Sequence, residues 1–306
     1  MNNLITLDKN VIEALRLFEK KPAPELDISA FTLPFVVGSG NAYNTGLLLF
    51  AGKAAIFADE SNFRPLIAAY KPVIEQKMIR DAVVISASGE KDSVWEVELA
   101  KEHGLRTTLL TTKSESSAAK VADDIRTFHS IAEPYTYNVS TYMGMIMAGT
   151  KEDPRQIRDF IEQLTFPEAF TSYAAYSFVL PDEFSAICPM LDIKKNELFG
   201  PHLGLRAFSD GHARHAKFVI RSPQELVISL NTENTSYGLP EHRWHITIPD
   251  NFSQAAVMAI TYYIIGKIQS AKHPYYKENI EAYVTDYGPK AYGKTEPFDL
   301  IVPGSE

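Results

Sequence analysis

The stretch VVISASGEKDSVWEVELAKEHG, residues 83–104, begins as an apolar β-branched run, breaks at a Ser-x-Ser-Gly turn and continues as a helical segment. Ligands of open α/β sheets collect where parallel strands end and helices begin. Here Ser86 and Ser88 bracket the strand end, Gly89 loosens the backbone and Ser93 opens the helix. Hydroxyls, a free turn and a helix amino terminus together make a compact cradle for a phosphate. Asp92 or Ser93 also caps the helix in its own right, because a short oxygen-bearing side chain satisfies an orphan amide there. A second turn of this kind lies upstream in FVVGSGNAYNTG, residues 35–46, where Gly38 and Gly40 permit a tight turn ahead of a helix.

Around these turns the first half alternates short apolar runs with helical patterns, which predicts a parallel sheet covered by helices on both faces. Strands are expected at LPFVVGS, AAIFADE, DAVVISAS, RTTLLTT and TFHSIAE, with helices over 43–50, 63–71, 93–103 and 116–124. The stretch YNVSTYMGMIMAG reads as a further helix. At GTKEDP the pattern pauses, then resumes as the helix RQIRDFIEQL, so a domain boundary is expected between residues 151 and 170. The second half repeats the theme with YAAYSFVLP, a helix over 187–199, AKFVIRS, ELVISLN, RWHITIP and the helix SQAAVMAITYYIIGKIQ. A chain of 306 residues suits two domains of roughly 150 residues each. The expected division is 1–160, an amino-terminal helix plus the first domain, and 161–306, the second domain with a tail.

Composition narrows the function classes. The formal charge of -8 argues against a general nucleic-acid binder, which needs basic surface to displace counterions. No apolar run approaches the ~20 residues of a membrane-spanning helix. The amino terminus lacks the basic-then-apolar order of a secretion signal, and Val11, Ile12, Leu15 and Phe18 suit one face of an amphipathic helix. A cytoplasmic location is therefore expected. The lone Cys188 allows no internal disulfide or thiolate metal cage, and within FSAICPML it reads as a small buried hydrophobe. No His-x-x-x-His, His-Glu-x-x-His or carboxylate cluster points to a metal, so no cofactor is expected.

The 83–104 stretch resembles the strand, S-x-S-G-x-T/S loop and helix of sugar-isomerase (SIS) domains. GSGNAYNTG is similar to the glycine turn opening such a domain, and DKNVIEALRLFEKK to the helix before it, in the form seen in bifunctional phosphoglucose/phosphomannose isomerases. Fructosamine-phosphate deglycases share the double-domain pattern. The resemblance covers most of residues 10–150 and extends more loosely into the second half. It implies two SIS-type three-layer αβα domains with mainly parallel sheets, flavodoxin- or Rossmann-like. It also implies phosphate contacts from Ser39, Asn41, Ser86, Ser88, Gly89 and Ser93. Lys91 stands where the family has threonine, and a lysine there supplies a point charge or turns to solvent.

In the second half MLDIKKNELFG resembles the stretch that carries the catalytic glutamate of double-SIS isomerases, which points to Glu197. Aldose–ketose isomerisation needs one base to move a proton between adjacent carbons, and a carboxylate shielded from water suits that task. Ring opening needs a second acid/base, for which histidine is the natural group. By resemblance DGHARHAKFVI offers His215, with His212 as the substitute, although the family's G-E-x-x-H-G-P form is absent. In the family this histidine often comes from a neighbouring subunit, which implies a homodimer with shared active sites. The closing segment GKIQSAKHPYYKENI resembles one that carries further substrate contacts, here Lys277. The proline–arginine pair of the glucose/mannose isomerases is replaced by EPYTYNVSTY, so substrate identity does not carry over from that branch.

Three readings follow. The chain is expected to act as a sugar-phosphate isomerase, with a fructosamine-phosphate-type deglycase or deaminase and a non-catalytic phosphosugar-binding regulator as the alternatives. The expected ligand is a sugar-phosphate small molecule, and neither a nucleic acid nor a membrane is an expected partner.

Overall fold

A computed structural model describes residues 4–304. The chain divides into two compact units, one on Leu17–Ile131 and Val139–Lys151, the other on Ala132–Asn138, Glu152–Pro303 and the residues up to Arg16. Helix α1 (Leu7–Lys20) buries Val11, Leu15 and Phe18 and half-buries Ile12, the apolar stripe expected of it.

The first unit is built on β1 (Phe35–Gly38), α2 (Asn41–Leu49), β2 (Ile56–Ala58), α3 (Phe63–Ala69), α4 (Lys71–Glu75), β3 (Asp81–Ile85), α5 (Asp92–Glu102), β4 (Arg106–Thr111) and β5 (Asp124–Thr127). Its strands form one parallel sheet in the order β2-β1-β3-β4-β5. Because side chains alternate along a strand, Phe35, Val37, Ala82, Val84 and Leu109 face one way. There they meet Phe63, Ile67, Ile74, Val97 and Ala100 from α3, α4 and α5. Each large apolar side chain sealed in this layer contributes about 1.5–3 kcal/mol. On the opposite face α2 comes so close that a Cβ on Gly46 would lie 2.7 Å from Val36. After the short strand β6 (Glu133–Pro134), helix α6 (Val139–Thr150) is buried almost throughout.

Two expectations need correction here. The edge strand is Asp124–Thr127 rather than TFHSIAE; an edge strand pairs on one side only, so its sequence need not be apolar. The helix expected over 116–124 is a run of turns. Its amides are drawn to the preceding loop instead, with Ser117 N donating to Glu90 Oε1 at 3.0 Å and Ala118 N to Gly89 O at 2.9 Å.

In the second unit, α7 (Pro154–Glu162) precedes β7 (Ala175–Leu180), α8 (Ile187–Phe199), β8 (Gly204–Ser209), α9 (Asp210–Ala216), β9 (Glu225–Leu230), β10 (Arg243–Ile246), α10 (Gln254–Ala271) and α11 (Tyr275–Ala282). Strand β11 (Ile301–Val302) pairs antiparallel with β6. The main sheet is again parallel, in the order β10-β9-β7-β8. Glu152 anchors the almost wholly buried α10 by accepting from the amides of Ser253 (2.7 Å), Ala255 (2.9 Å) and Ala256 (3.0 Å); a carboxylate at a helix amino end satisfies orphan donors and complements the dipole. AKFVIRS forms no strand. Lys217 and Phe218 take positive φ (66° and 43°), and Val219 and Ile220 are left 82% and 85% exposed. The architecture is thus two three-layer α/β domains with parallel sheets. No described helix is long and apolar enough to cross a membrane.

Candidate functional site

The first sheet reverses its strand order between β1 and β3, and a crevice opens at the carboxyl ends of the strands flanking such a reversal. Both glycine turns singled out in the sequence lie there. β1 runs into Ser39-Gly40 and α2, and β3 runs into Ser86–Lys91 and α5. Gly40 and Lys91 stand at equivalent positions before their helices with nearly the same backbone, φ 56° and ψ -120° against φ 60° and ψ -125°.

The second loop is tightly braced. Ser86 Oγ accepts from Gly89 N at 3.1 Å, and Ser88 Oγ from Glu90 N at 3.3 Å. Thr112 donates to the Ala87 carbonyl through N (3.1 Å) and Oγ1 (2.8 Å). Gly89 is held at φ 64° against Ser116, where a Cβ would lie 2.0 Å from the Ser116 hydroxyl oxygen, so only glycine fits. Ser93 is buried and donates to Glu90 O at 2.8 Å, closing the loop from beneath. Lys91 is exposed. Asn41, the first residue of α2, is buried, and its Oδ1 has no hydrogen-bond partner among the described residues. Ser39 is half-buried, and its carbonyl accepts from Ala42 N at 3.1 Å. The bracing from Ser116 and Ser117 was hidden because their segment reads as a helix, and that from Thr112 because it sits at the end of an expected strand.

Lysine at φ 60° costs about 1–3 kcal/mol that glycine does not incur. Lys91→Gly is therefore expected to raise stability by about 1 kcal/mol, after the entropy of a freer unfolded chain is set against the relieved strain. Urea unfolding measures this, and a variant less stable than wild type would show that the lysine side chain holds the loop.

Glu197 lies on α8 in the second unit, with 23% of its side chain exposed. Lys194, one turn earlier and fully buried, donates to Glu197 Oε2 at 2.6 Å and to the Thr136 carbonyl at 2.7 Å. Thr136 itself is held at φ 77°. The phenols of Tyr135, Tyr137 and Tyr276 lie near enough to be raised further by the Glu197 charge, after their own burial. Burial among these rings pushes the Glu197 carboxyl above its ordinary range, while Lys194 pulls it back. A carboxylate so placed is shielded enough to work as a base and still holds a counter-charge.

The remaining candidates are more open. His212 and His215 lie on α9, both exposed, and the His212 amide donates to Ser209 Oγ at 3.4 Å. Lys277 is half-buried on α11. The Ser86–Lys91 loop and Glu197 belong to different units. Burial pushes the Cys188 thiol up to about 12, so it carries no reactive thiolate. Among the described residues no group of three histidine, cysteine or carboxylate side chains could hold a metal ion. Sequence reading missed Lys194, whose signal is its place on the buried face of α8, three and four residues from Leu191, Met190 and Leu198.

No protein-family model and no curated protein sequence matches the chain. Solved structures do. Tagatose-6-phosphate ketose/aldose isomerase from Escherichia coli is 13% identical, with 88% of this chain and 92% of that one covered and a TM-score of 0.58. Glucosamine-6-phosphate deaminase from Thermotoga maritima is 16% identical, with coverage of 86% and 92% and a TM-score of 0.56. The C-terminal domain of glucosamine-fructose-6-phosphate aminotransferase from Francisella tularensis is 13% identical, with coverage of 87% and 93% and a TM-score of 0.55. At these identities the likeness is one of fold, and the fold of this chain is the tandem sugar-isomerase type.

Proposed function

We propose that the protein is a sugar-phosphate aldose–ketose isomerase. The observation that carries this reading is the Ser86–Lys91 loop, a rigid ring of hydroxyls and amides at the strand-order reversal of the first sheet and at the amino end of α5. A helix amino terminus with free hydroxyls favours a phosphate through aligned dipoles and unspent donors. Ser86, Ser88, Gly89 and Lys91 are assigned to the phosphate, Ser39 and Asn41 to the sugar beside it, and Ser93 to holding the loop in shape. Glu197 is assigned the proton transfer between the two carbons, because a base must be shielded from water and tuned towards the working pH. The exposed His215 or His212 would open the ring in a second copy of the chain, making the working unit a homodimer, and Lys277 would touch the substrate.

Glu197→Gln keeps the shape and removes the base. It is expected to lower turnover by about 10²–10⁴-fold while leaving sugar-phosphate affinity within a few-fold. The assay screens fructose, mannose and tagatose 6-phosphates for isomerisation, and glucosamine and fructosamine 6-phosphates for release of the amine. Amine release alone would give the deglycase or deaminase reading. Tight binding without turnover of any of them would give a regulatory sensor, and full turnover by Glu197→Gln would remove Glu197 from the chemistry.

A further inference from the structure

The two sheets share a strand plan. Read from β8, the second sheet runs β8-β7-β9-β10, the same 2-1-3-4 order as β2-β1-β3-β4 in the first. Strand β9 is thus the counterpart of β3, and the loop after it, Asn231–Gly238, the counterpart of the braced serine loop. That loop is also hydroxyl-rich, reading NTENTSYG. It opens with Asn231 at φ 54° and closes with Gly238 at φ 69°. It is rigid for a reason visible in its bonds. The buried Asn234 accepts through Oδ1 from Ser236 N (3.1 Å) and Tyr237 N (2.7 Å) and donates through Nδ2 to Tyr237 O (2.9 Å). Arg243 donates to the carbonyls of Tyr237 (2.8 Å) and Gly238 (2.9 Å).

At this place a cavity of about 180 Å³ opens, with Val179 from β7, Asp210 and Arg214 from α9, and Thr232, Glu233 and Thr235 from the loop on its walls. By volume it holds about six waters at ~30 Å³ each. Tyr237, packed on Phe218 at 5.0 Å between ring centroids, forms a largely buried floor. Two features set its chemistry apart from the first loop. Only a three-residue 3-10 turn with proline at its start, Pro240–His242, follows this loop in place of an α-helix, and the first turn of α9 is already occupied by the chain's own Asp182, which accepts from Gly211 N at 2.8 Å. The cation at this cavity is therefore the Arg214 guanidinium, and two carboxylates, Asp210 and Glu233, stand on the same walls. A dianion alone would meet those carboxylates, and a simple cation would meet the arginine. A ligand with both charges satisfies all three groups.

We infer that the second domain carries its own binding pocket for a small hydroxylated zwitterion, with an anionic group on Arg214 and an ammonium group on Asp210 and Glu233. The pocket rests on the second unit alone and does not depend on the catalytic reading. Two sources supply this chemistry, an amino-sugar phosphate and a hydroxylated free amino acid. The test is calorimetric titration of glucosamine 6-phosphate and, separately, L-serine into protein carrying Ser86→Ala/Ser88→Ala, which removes first-loop hydroxyls. Fructose 6-phosphate, which lacks the ammonium group, is titrated into otherwise wild-type protein with and without the pocket changes.

At least one of the two zwitterions is expected to bind, and which one identifies the source. Arg214→Ala and Asp210→Asn/Glu233→Gln are each expected to weaken that binding tenfold or more, with fructose 6-phosphate affinity unchanged. Circular dichroism checks that these surface changes leave the fold intact. Binding of neither zwitterion, or binding unmoved by both variants, overturns the pocket. Sensitivity to only one of the two variants overturns the zwitterion assignment.

Discussion

Replacing Glu96 by glutamine is expected to stabilise the protein by about 2–3 kcal/mol at pH 7. Glu96 lies on α5, one turn beyond Ser93, and is 1% exposed, with no hydrogen-bond partner for Oε1 among the described residues. Burial first, and then the charges of Asp92, Glu60 and Asp59, push its carboxyl from 4.5 up to about 8. A folded-state value above the unfolded one means that the folded protein holds a proton the unfolded chain has released. The associated stability is fully present below about pH 4.5, declines by about 1.4 kcal/mol per pH unit above it, and is lost once the pH passes about 8. Glutamine keeps the shape and does not titrate. Urea unfolding at pH 5, 7 and 8.5 should therefore show the variant's advantage growing with pH. Parallel curves for the two proteins would mean that the Glu96 charge is compensated in the fold.

Lys194→Met is expected to cost about 2–4 kcal/mol. Removing one member of a buried pair leaves the other without its counter-charge, typically at 3–5 kcal/mol, and the partial exposure of Glu197 reduces this through solvent screening. Methionine retains the unbranched apolar stem but gives up both bonds of the ammonium, to Glu197 and to the strained Thr136 carbonyl. The combined variant Lys194→Met/Glu197→Gln should recover part of the loss, because the orphaned charge is gone. A single Lys194→Met protein as stable as wild type would show that the pair contributes nothing net.

The parts of the fold that sequence reveals are those whose residues have one reason to be where they are. β1, β3 and β9 are central strands buried on both faces, so they read as largely apolar runs, and α10 is so nearly enclosed that most of its length is apolar. Within the two main sheets, the strands that escaped notice, β5 and β8, are both edges. β8 carries an exposed Gly204 and Arg206, and an alternating, half-polar edge is hard to tell from a loop. AKFVIRS misleads in the opposite direction, since only Phe218 of its apolar residues packs into the core while Val219 and Ile220 face solvent. The serine loop was legible because its glycine and hydroxyls are local. Its supports at Thr112, Ser116 and Ser117, and the pairing of Lys194 with Thr136, come from segments distant in sequence, where no spacing rule reaches.

The most direct test of the central claim is a calorimetric titration of fructose 6-phosphate and tagatose 6-phosphate, which lack the ammonium group, into wild type and into Ser86→Ala/Ser88→Ala. Hydrogen bonds to a charged group are worth about 1.5–3 kcal/mol each, so loss of both hydroxyls should weaken binding of the sugar phosphate by about a hundredfold or more. The same sugars without phosphate should show no such difference. Equal affinity of the two proteins for every sugar phosphate that binds wild type would contradict the assignment of the phosphate to the Ser86–Lys91 loop.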